Sequence, residues 1–118
     1  KAINPMAVEG QMEGSVQQAG VAAVTEGNVW DEGFLLNPDL LEYKVPLACD
    51  MPDIETIIVE SNDPEGPFGA KEGGLTVRMN AYSAVACAVS NAVDAQFSEL
   101  PLTPDRVLAM IENKGGDK

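Results

Sequence analysis

The chain has 118 residues, of which 45% are hydrophobic, and this is enough for one modest core in a single domain or part of a larger one. Nineteen acidic residues against seven basic ones give a net charge of −12, so we expect no binding to nucleic acid or to an anionic membrane. With no histidine and only two cysteines, Cys49 and Cys87, a zinc site is not expected either.

The cysteines and the start of the chain bear on its cellular location. Cys87 lies in an alanine-rich run and is predicted to be a small buried thiol. No disulfide framework is needed, no run reaches the length of a membrane span, and residues 1–5 lack the apolar core of a signal peptide. Together these features predict a cytoplasmic protein.

The first predicted element is a helix from Met6 to about Glu26. Asn4-Pro5 supplies a capping side chain followed by proline at the first helical position. Gly10 and Gly14 are four residues apart and leave one face of the helix without side chains. This face permits close approach by another backbone or by a cofactor.

The middle of the chain is predicted to be poorer in regular structure. Asn28 to Tyr43 is predicted to be rich in loops, with Trp30 as an anchor in a core or an interface. Tyr43 to Pro46 is predicted to be extended, because a residue before proline avoids the helical region. Ile54 to Glu60 is predicted to be a strand, since it contains three consecutive β-branched residues.

A glycine-rich segment follows, from Gly66 to Leu75, with four glycines, one proline and a single Lys-Glu pair. Glycine is used where φ is positive or where another group approaches the backbone closely. A helix entrance also offers unpaired N–H groups to an oxygen-rich ligand. The segment is therefore either a ligand-facing loop or a solvent turn before a buried helix, and composition alone favours the turn.

The last third of the chain is predicted to be helical. From about Thr76 to Gln96 there is no glycine or proline, and the regular valines fit a buried helix. Thr103-Pro104-Asp105 begins a last helix after the break at Leu100-Pro101-Leu102. The predicted fold class is α+β, with three helices and short strands.

An ordered set of motifs resembles the C-terminal part of the molybdopterin-binding subunit in the xanthine dehydrogenase and aldehyde oxidoreductase family. The matching segments cover nearly the whole chain: Ile3–Pro5 with Glu9–Gly14, Leu41–Pro46 with Asp50–Pro52, Gly66–Lys71, and Leu100–Arg106. The form Gly66–Glu72 is most similar to the branch that contains 4-hydroxybenzoyl-CoA reductase. The resemblance implies that residues 1–118 are the C-terminal part of a molybdopterin-binding domain, whose remainder is supplied by another chain or is missing here.

The resemblance also implies cofactors and partners. Family members hold a molybdenum-bearing molybdopterin, often as a cytosine dinucleotide, mainly through residues upstream of this region. Iron–sulfur clusters and FAD are expected on partner subunits, because two cysteines cannot supply the four ligands of a [2Fe–2S] cluster. The implied reaction is hydroxylation of an aromatic or heteroaromatic small molecule with water as oxygen source, or reductive dehydroxylation of an aryl thioester.

Several residues are implied to face the cofactor. Gln11 is the best contact, because its amide both donates and accepts hydrogen bonds, and Gly10 lets its helix come close. Lys71 would orient the loop or offset negative charge on the metal complex, and Gly73 and Gly74 would bring backbone N–H groups near the site. The alternatives are a surface glutamine and a solvated lysine. No residue of this chain is expected to ligate the metal.

The chain departs from the family at Leu75, which also belongs to the predicted cofactor-facing set. The family pattern has a catalytic glutamate at this position, and leucine cannot accept a proton. Losing a positioned general base lowers the rate by about 10²–10⁴-fold. Three alternatives are open: Glu72 is the catalytic base instead; the base comes from another chain or the reaction needs none; or the chain is a non-catalytic structural module of the complex.

Overall fold

The computed structural model describes residues 1–115, and within them it contains helices and one small sheet. This confirms the α+β class with three main helical elements and short strands. Along the chain the elements are α1 Pro5–Val16, a π-helical turn Gln17–Val21, α2 Ala22–Thr25, β1 Trp30–Asp31, β2 Phe34–Leu35, α3 Leu40–Tyr43, 3₁₀ turns Ala48–Asp50 and Pro67–Gly69, α4 Leu75–Val93 and α5 Pro104–Gly115.

The first predicted helix is confirmed. Asn4 caps it, with its Oδ1 accepting from the Ala7 N–H at 3.2 Å, and Pro5 is the first helical residue. α1, the π-helical turn and α2 follow one another without a break as far as Thr25, and Glu26 leaves the helix with φ −83° and ψ 130°. We call this continuous stretch the N-terminal helix.

The core lies where α4 packs along the N-terminal helix. Ala19, Ala22 and Ala23 are buried there, and small side chains of this kind allow close contact between helices. The hydroxyl of Tyr82 on α4 donates to the Gln18 carbonyl oxygen at 3.0 Å. Leu102 closes one end of the core, and its N–H donates to the Ala23 carbonyl oxygen at 2.7 Å.

α4 is packed on one side only. Val77, Val85 and Val89 are half-buried, whereas the opposite face is exposed within the described residues. Cys87 lies on the exposed face, so the prediction of a buried thiol was wrong. The alanine-rich run gave no sign of which face would be covered, because it is apolar on both.

A buried asparagine organises the loop before the hairpin. Asn37 Nδ2 donates to the Gly27 carbonyl oxygen at 2.6 Å, and its Oδ1 accepts from the Val29 N–H at 2.9 Å. β1 and β2 pair antiparallel just inside this bridge. Trp30 in β1 is 62% exposed, so its placement in a core was wrong, and its use at an interface stays a prediction.

Two local predictions in the middle of the chain were also wrong. Tyr43 ends α3 and Lys44 has φ 62°, so neither is extended; Asp39 stabilises this helical turn by accepting from the Glu42 N–H at 2.9 Å. Ile54 to Glu60 forms no strand, because no other segment of residues 1–115 pairs with it. Strands need such a partner, whereas a helix satisfies its own backbone.

Candidate functional site

An open cleft of about 470 Å³ lies between the start of α1, residues 57–61 and the glycine-rich segment. Residues 66–75 are called the glycine loop below. Four predicted site residues line the cleft: Gln11, Lys71, Glu72 and Gly73. Gln11 and the other three are about 60 residues apart in the sequence, and the packing of α4 against the N-terminal helix brings them together. Gly10, Gly74 and Leu75 are not among the lining residues.

The glycine loop bends sharply before it reaches the cleft. Phe68 has φ 54° and Gly69 has φ 76°, both in the left-handed region. Gly66 is required sterically, because a Cβ there would lie 2.1 Å from the Ala70 carbonyl oxygen. The bend aims the following residues, Lys71 to Gly74, at helix α1.

Gly73 and Gly74 let the loop lie directly on α1. A Cβ on Gly73 would lie 3.3 Å from Val8 Cγ1, and one on Gly74 would lie 3.2 Å from Ser15 Oγ. The Ser15 hydroxyl in turn donates to the Gln11 carbonyl oxygen at 2.7 Å. The close approach for which these glycines are needed is thus made by the chain's own helix, and it fixes the loop beside Gln11.

Gly10 and Gly14 on α1 differ from Gly73 and Gly74, because no described residue lies against them. A Cβ at either position would meet nothing within 4 Å among the described residues. Their helix face is therefore open to a further group, as the sequence predicted. Gln11 is exposed on the same helix and reaches the cleft.

Lys71 is held by an acidic neighbour in the preceding turn. Its Nζ lies 3.4 Å from Asp63 Oδ2. The Glu65 backbone N–H and the Lys71 ammonium hold the pKa of the Asp63 carboxyl below its ordinary value. Asp63 therefore stays ionised and positions the cation at the cleft.

Glu72 has a structural role that the sequence reasoning missed. Its carboxylate accepts hydrogen bonds from the backbone N–H of Leu75, from the Thr76 N–H at 3.2 Å and from the Thr76 hydroxyl at 3.2 Å. These donors, Leu75 first, lower the pKa of the Glu72 carboxyl. An acidic residue just before a helix is a capping signal, and this pattern was available in the sequence.

Leu75 begins α4, and its side chain is 56% exposed. The side chain at this position is apolar, and the carboxylate nearest to it along the chain, Glu72, is hydrogen-bonded within the α4 cap. A proton acceptor with a lowered pKa is a weak base. Glu72 would have to leave the cap to act as an efficient one.

The lining groups are suited to an oxygen-rich ligand rather than to a bare metal ion. Gln11 offers an amide and Lys71 an ammonium, both hydrogen-bond donors for phosphate or oxo oxygens. Within residues 1–115 no three His, Cys, Asp or Glu side chains cluster as metal ligands would. In the same part of the chain, no helix has the length and apolar character that crossing a bilayer requires.

Residues 57–61 form a wall of the cleft that the sequence did not indicate. Ile57, Ile58, Val59, Glu60 and Ser61 all line it. Their composition pointed to a strand and carried no signal for a ligand site. Glu60 is tied to the start of the chain, because its Oε1 accepts from the Ala2 N–H at 2.9 Å.

Comparisons with known proteins show which family this chain resembles. Residues 1–52 match a family described as the molybdopterin cofactor-binding domain. The xanthine dehydrogenase molybdenum-binding subunit of Escherichia coli O157:H7 is 35% identical over 107 residues, covering 89% of this chain and 14% of that subunit. The chain therefore spans only a small part of such a relative.

Two solved structures share the fold. Quinoline 2-oxidoreductase from Pseudomonas putida 86 aligns with a TM-score of 0.85 and 33% identity, covering 93% of this chain and 14% of that one. The Cu,Mo-CO dehydrogenase aligns with a TM-score of 0.86 and 27% identity, covering 96% of this chain and 15% of that one.

Proposed function

The chain belongs to the molybdopterin-binding subunits of the xanthine dehydrogenase and aldehyde oxidoreductase family, and on this basis we propose that it completes the cofactor site of a molybdenum-dependent oxidoreductase. The observation that carries the proposal is the shared cleft, in which Gln11, Lys71, Glu72 and Gly73 meet. Residues 1–118 are proposed to be the C-terminal part of the cofactor-binding domain. Its remainder lies on another chain or in a part of the same protein outside this sequence.

The residues of the cleft fit a molybdopterin. The face of α1 at Gly10 is open, Gln11 presents an amide, and Lys71 presents a cation that Asp63 holds in place. When bound, the cofactor supplies the redox chemistry of the reaction. We propose the cytosine dinucleotide form, with iron–sulfur clusters and FAD on partner subunits.

Each residue then has a separate task. Gln11 donates an amide hydrogen to an oxygen of the cofactor, and Lys71 offsets its negative charge. Gly73 and Gly74 keep the glycine loop on α1, so that Gln11 and Lys71 line the same cleft. Glu72 stabilises the start of α4, and the proton acceptor comes from elsewhere in the assembly or is not required.

The proposed substrate is an aromatic or heteroaromatic small molecule. The likeness to quinoline 2-oxidoreductase supports this class. The two reactions expected from the sequence, hydroxylation with water as oxygen source and reductive dehydroxylation of an aryl thioester, both stay within the proposal. The acidic chain and its two free cysteines favour a cytoplasmic assembly that binds neither nucleic acid nor membrane.

A second candidate function is a non-catalytic module that stabilises such a complex. It is favoured by the exposed leucine at position 75 and by the engagement of Glu72 in the helix cap. Neither residue then acts on a substrate, while the helices and the cleft are retained.

Molybdenum analysis of the purified assembly tests the cofactor site. We expect about one molybdenum per assembly. Gln11→Ala is expected to weaken cofactor binding at least about tenfold and so to lower this content, because a hydrogen bond to a charged group contributes about 1.5–3 kcal/mol. Gln18→Ala is the control, since Gln18 is exposed on the same helical stretch but outside the cleft. An assembly without molybdenum would contradict the proposal, and full content in Gln11→Ala would remove Gln11 from the site.

A further inference from the structure

We propose that residues 54–60 form a β-strand in the complete protein, paired with a strand from the part of the same molybdopterin-binding domain that lies outside this sequence. The inference rests on the proposed function, because the partner strand belongs to the rest of the cofactor-binding domain. It concerns the wall of the cleft that residues 57–61 form, and it explains why the sequence predicts a strand that the chain does not form by itself.

The side chains of this segment alternate as those of a strand do. Ile54, Thr56 and Ile58 are half-buried against the chain, whereas the residues between them are exposed. Ile57 is 71% exposed and Val59 is 84% exposed. Exposed β-branched residues at alternate positions are the pattern of a strand with one face uncovered.

The backbone of the segment has no backbone partner. Within residues 1–115, none of the N–H or C=O groups of residues 54–60 is hydrogen-bonded to another backbone group. An unpaired edge of this kind readily accepts a further strand, because main-chain hydrogen bonds supply the affinity. The backbone therefore specifies an extended partner rather than a helix.

Charge and chain length decide which partner this is. A second copy would bring Glu55 and Glu60 of one chain against those of another and join two chains of net charge −12, which is unfavourable. The chain spans 14% of the molybdenum-binding subunit it resembles, so most of that subunit's length is available to provide the strand.

Pairing of the segment has a consequence for the cleft. All of residues 57–61 line it together with Gln11 and Lys71. A paired strand is fixed along its length, whereas an unpaired segment samples many conformations. The partner strand would therefore fix the wall against which the cofactor rests.

Hydrogen exchange of the purified assembly, read at single amides, tests the pairing. We expect alternate amides of residues 54–60 to exchange about 100-fold slower than in an unstructured peptide. Exchange of every amide in the segment at the unstructured rate would overturn the inference. Molybdenum is measured on the same sample: fast exchange with molybdenum present overturns only the pairing, and slow exchange without molybdenum supports the pairing while contradicting the proposed function.

Proline variants provide an independent test. Ile57→Pro and Ile58→Pro remove neighbouring amides that point to opposite edges of a strand, and Ile57→Ala and Ile58→Ala keep the amides as controls. We expect at least one proline variant to abolish the slow exchange of the segment while its alanine control retains it. The inference fails when both proline variants exchange like their controls.

Discussion

The N-terminal helix with α4 and the stretch from residue 28 to residue 70 differ in how their apolar side chains are covered. In the helical pair the buried residues are small, and Leu102 seals one end of their contact. In the second stretch, which we call the open region, large apolar side chains are mostly exposed, among them Leu36, Leu41, Val59 and Phe68. The helical pair thus carries its own core, whereas the open region lacks one.

The difference indicates that one part of the chain is stabilised by its own contacts, whereas the other exposes apolar surface that a further part of the protein can cover. Helices satisfy their backbone internally, so the helical pair forms without a further strand, although one face of α4 stays exposed within the described residues. Exposed apolar surface on this scale marks an interaction site, and the chain represents only 14% of a relative such as the molybdenum-binding subunit. The cleft lies at the border of the two regions, with one wall from each.

Substituting one buried and one exposed leucine tests the contrast between the helical pair and the open region, and the buried one gives the largest expected effect. Leu102 is 2% exposed, and Leu102→Ala is expected to lower the free energy of unfolding by about 2–5 kcal/mol. Leu41 is 87% exposed, so Leu41→Ala is expected to change the isolated chain by less than about 0.5 kcal/mol. Urea unfolding of the chain and of the assembly measures both.

The same pair of variants tests which part of the protein covers the apolar side chains of the open region. If the rest of the domain covers it, Leu41→Ala becomes destabilising in the assembly but stays neutral in the chain. Equal losses for both variants in the isolated chain would contradict the division into two regions.

Asn37 is one of the few buried residues of the open region, and its side chain is hydrogen-bonded on both sides. Asn37→Ala is expected to lower the free energy of unfolding by about 1–3 kcal/mol, since the Gly27 carbonyl and the Val29 N–H lose their partner. Asn28→Ala is the matched control, as Asn28 is exposed in the same loop. Equal stability of the two variants, measured by urea unfolding, would show that the bridge does not hold the loop.

A glycine of the glycine loop and a glycine of α1 are expected to respond to substitution in opposite ways. Gly74→Ala places a Cβ 3.2 Å from Ser15 Oγ and is expected to destabilise by about 1 kcal/mol. Gly10→Ala meets nothing within 4 Å and is expected to stabilise α1 by about 0.5–1 kcal/mol. Thermal unfolding measures both changes.

Molybdenum content adds a second measurement for Gly10. If the cofactor approaches the open face of α1, Gly10→Ala lowers the molybdenum content of the assembly despite stabilising the helix. Unchanged content would place the cofactor away from Gly10.

The contrast between the regions also explains which predictions succeeded. The N-terminal helix, its Asn4 cap, α4 and α5 follow from local signals, and all four are present. The strand predicted at residues 54–60 is absent, because no other segment of residues 1–115 pairs with it. The covered face of α4 depends on packing, so neither periodicity nor composition could place Cys87.

The residues of the candidate site also divide into those that sequence motifs predict and those that only packing brings to the cleft. Ordered motifs singled out Gln11, Lys71, Glu72 and Gly73 before their shared cleft was known. The wall from residues 57–61 has no motif, and contact across the fold places it there. The capping role of Glu72 follows from its position just before α4, where an acidic side chain accepts from the first backbone N–H groups of the helix.

The smallest expected effect concerns this cap and its dependence on pH. The ordinary pKa of a glutamate is 4.5, and the α4 donors lower that of Glu72 in the folded chain. A lowered pKa means that the ionised carboxylate adds stability above pH 4.5, and that this stability is lost as the pH falls through the lowered value. Glu72→Gln keeps an acceptor but not the charge, so we expect its Tm to lie a few degrees below that of the parent chain at pH 7.

The difference in Tm between parent and Glu72→Gln should shrink towards zero well below pH 4.5, because the parent carboxyl is then protonated and resembles the amide. Glu65→Gln removes the same charge from the preceding turn without touching the cap, and its Tm should follow the parent at every pH. Equal behaviour of the two variants would show that Glu72 is not held by the helix. Its carboxylate would then be free to act as the base that Leu75 cannot be.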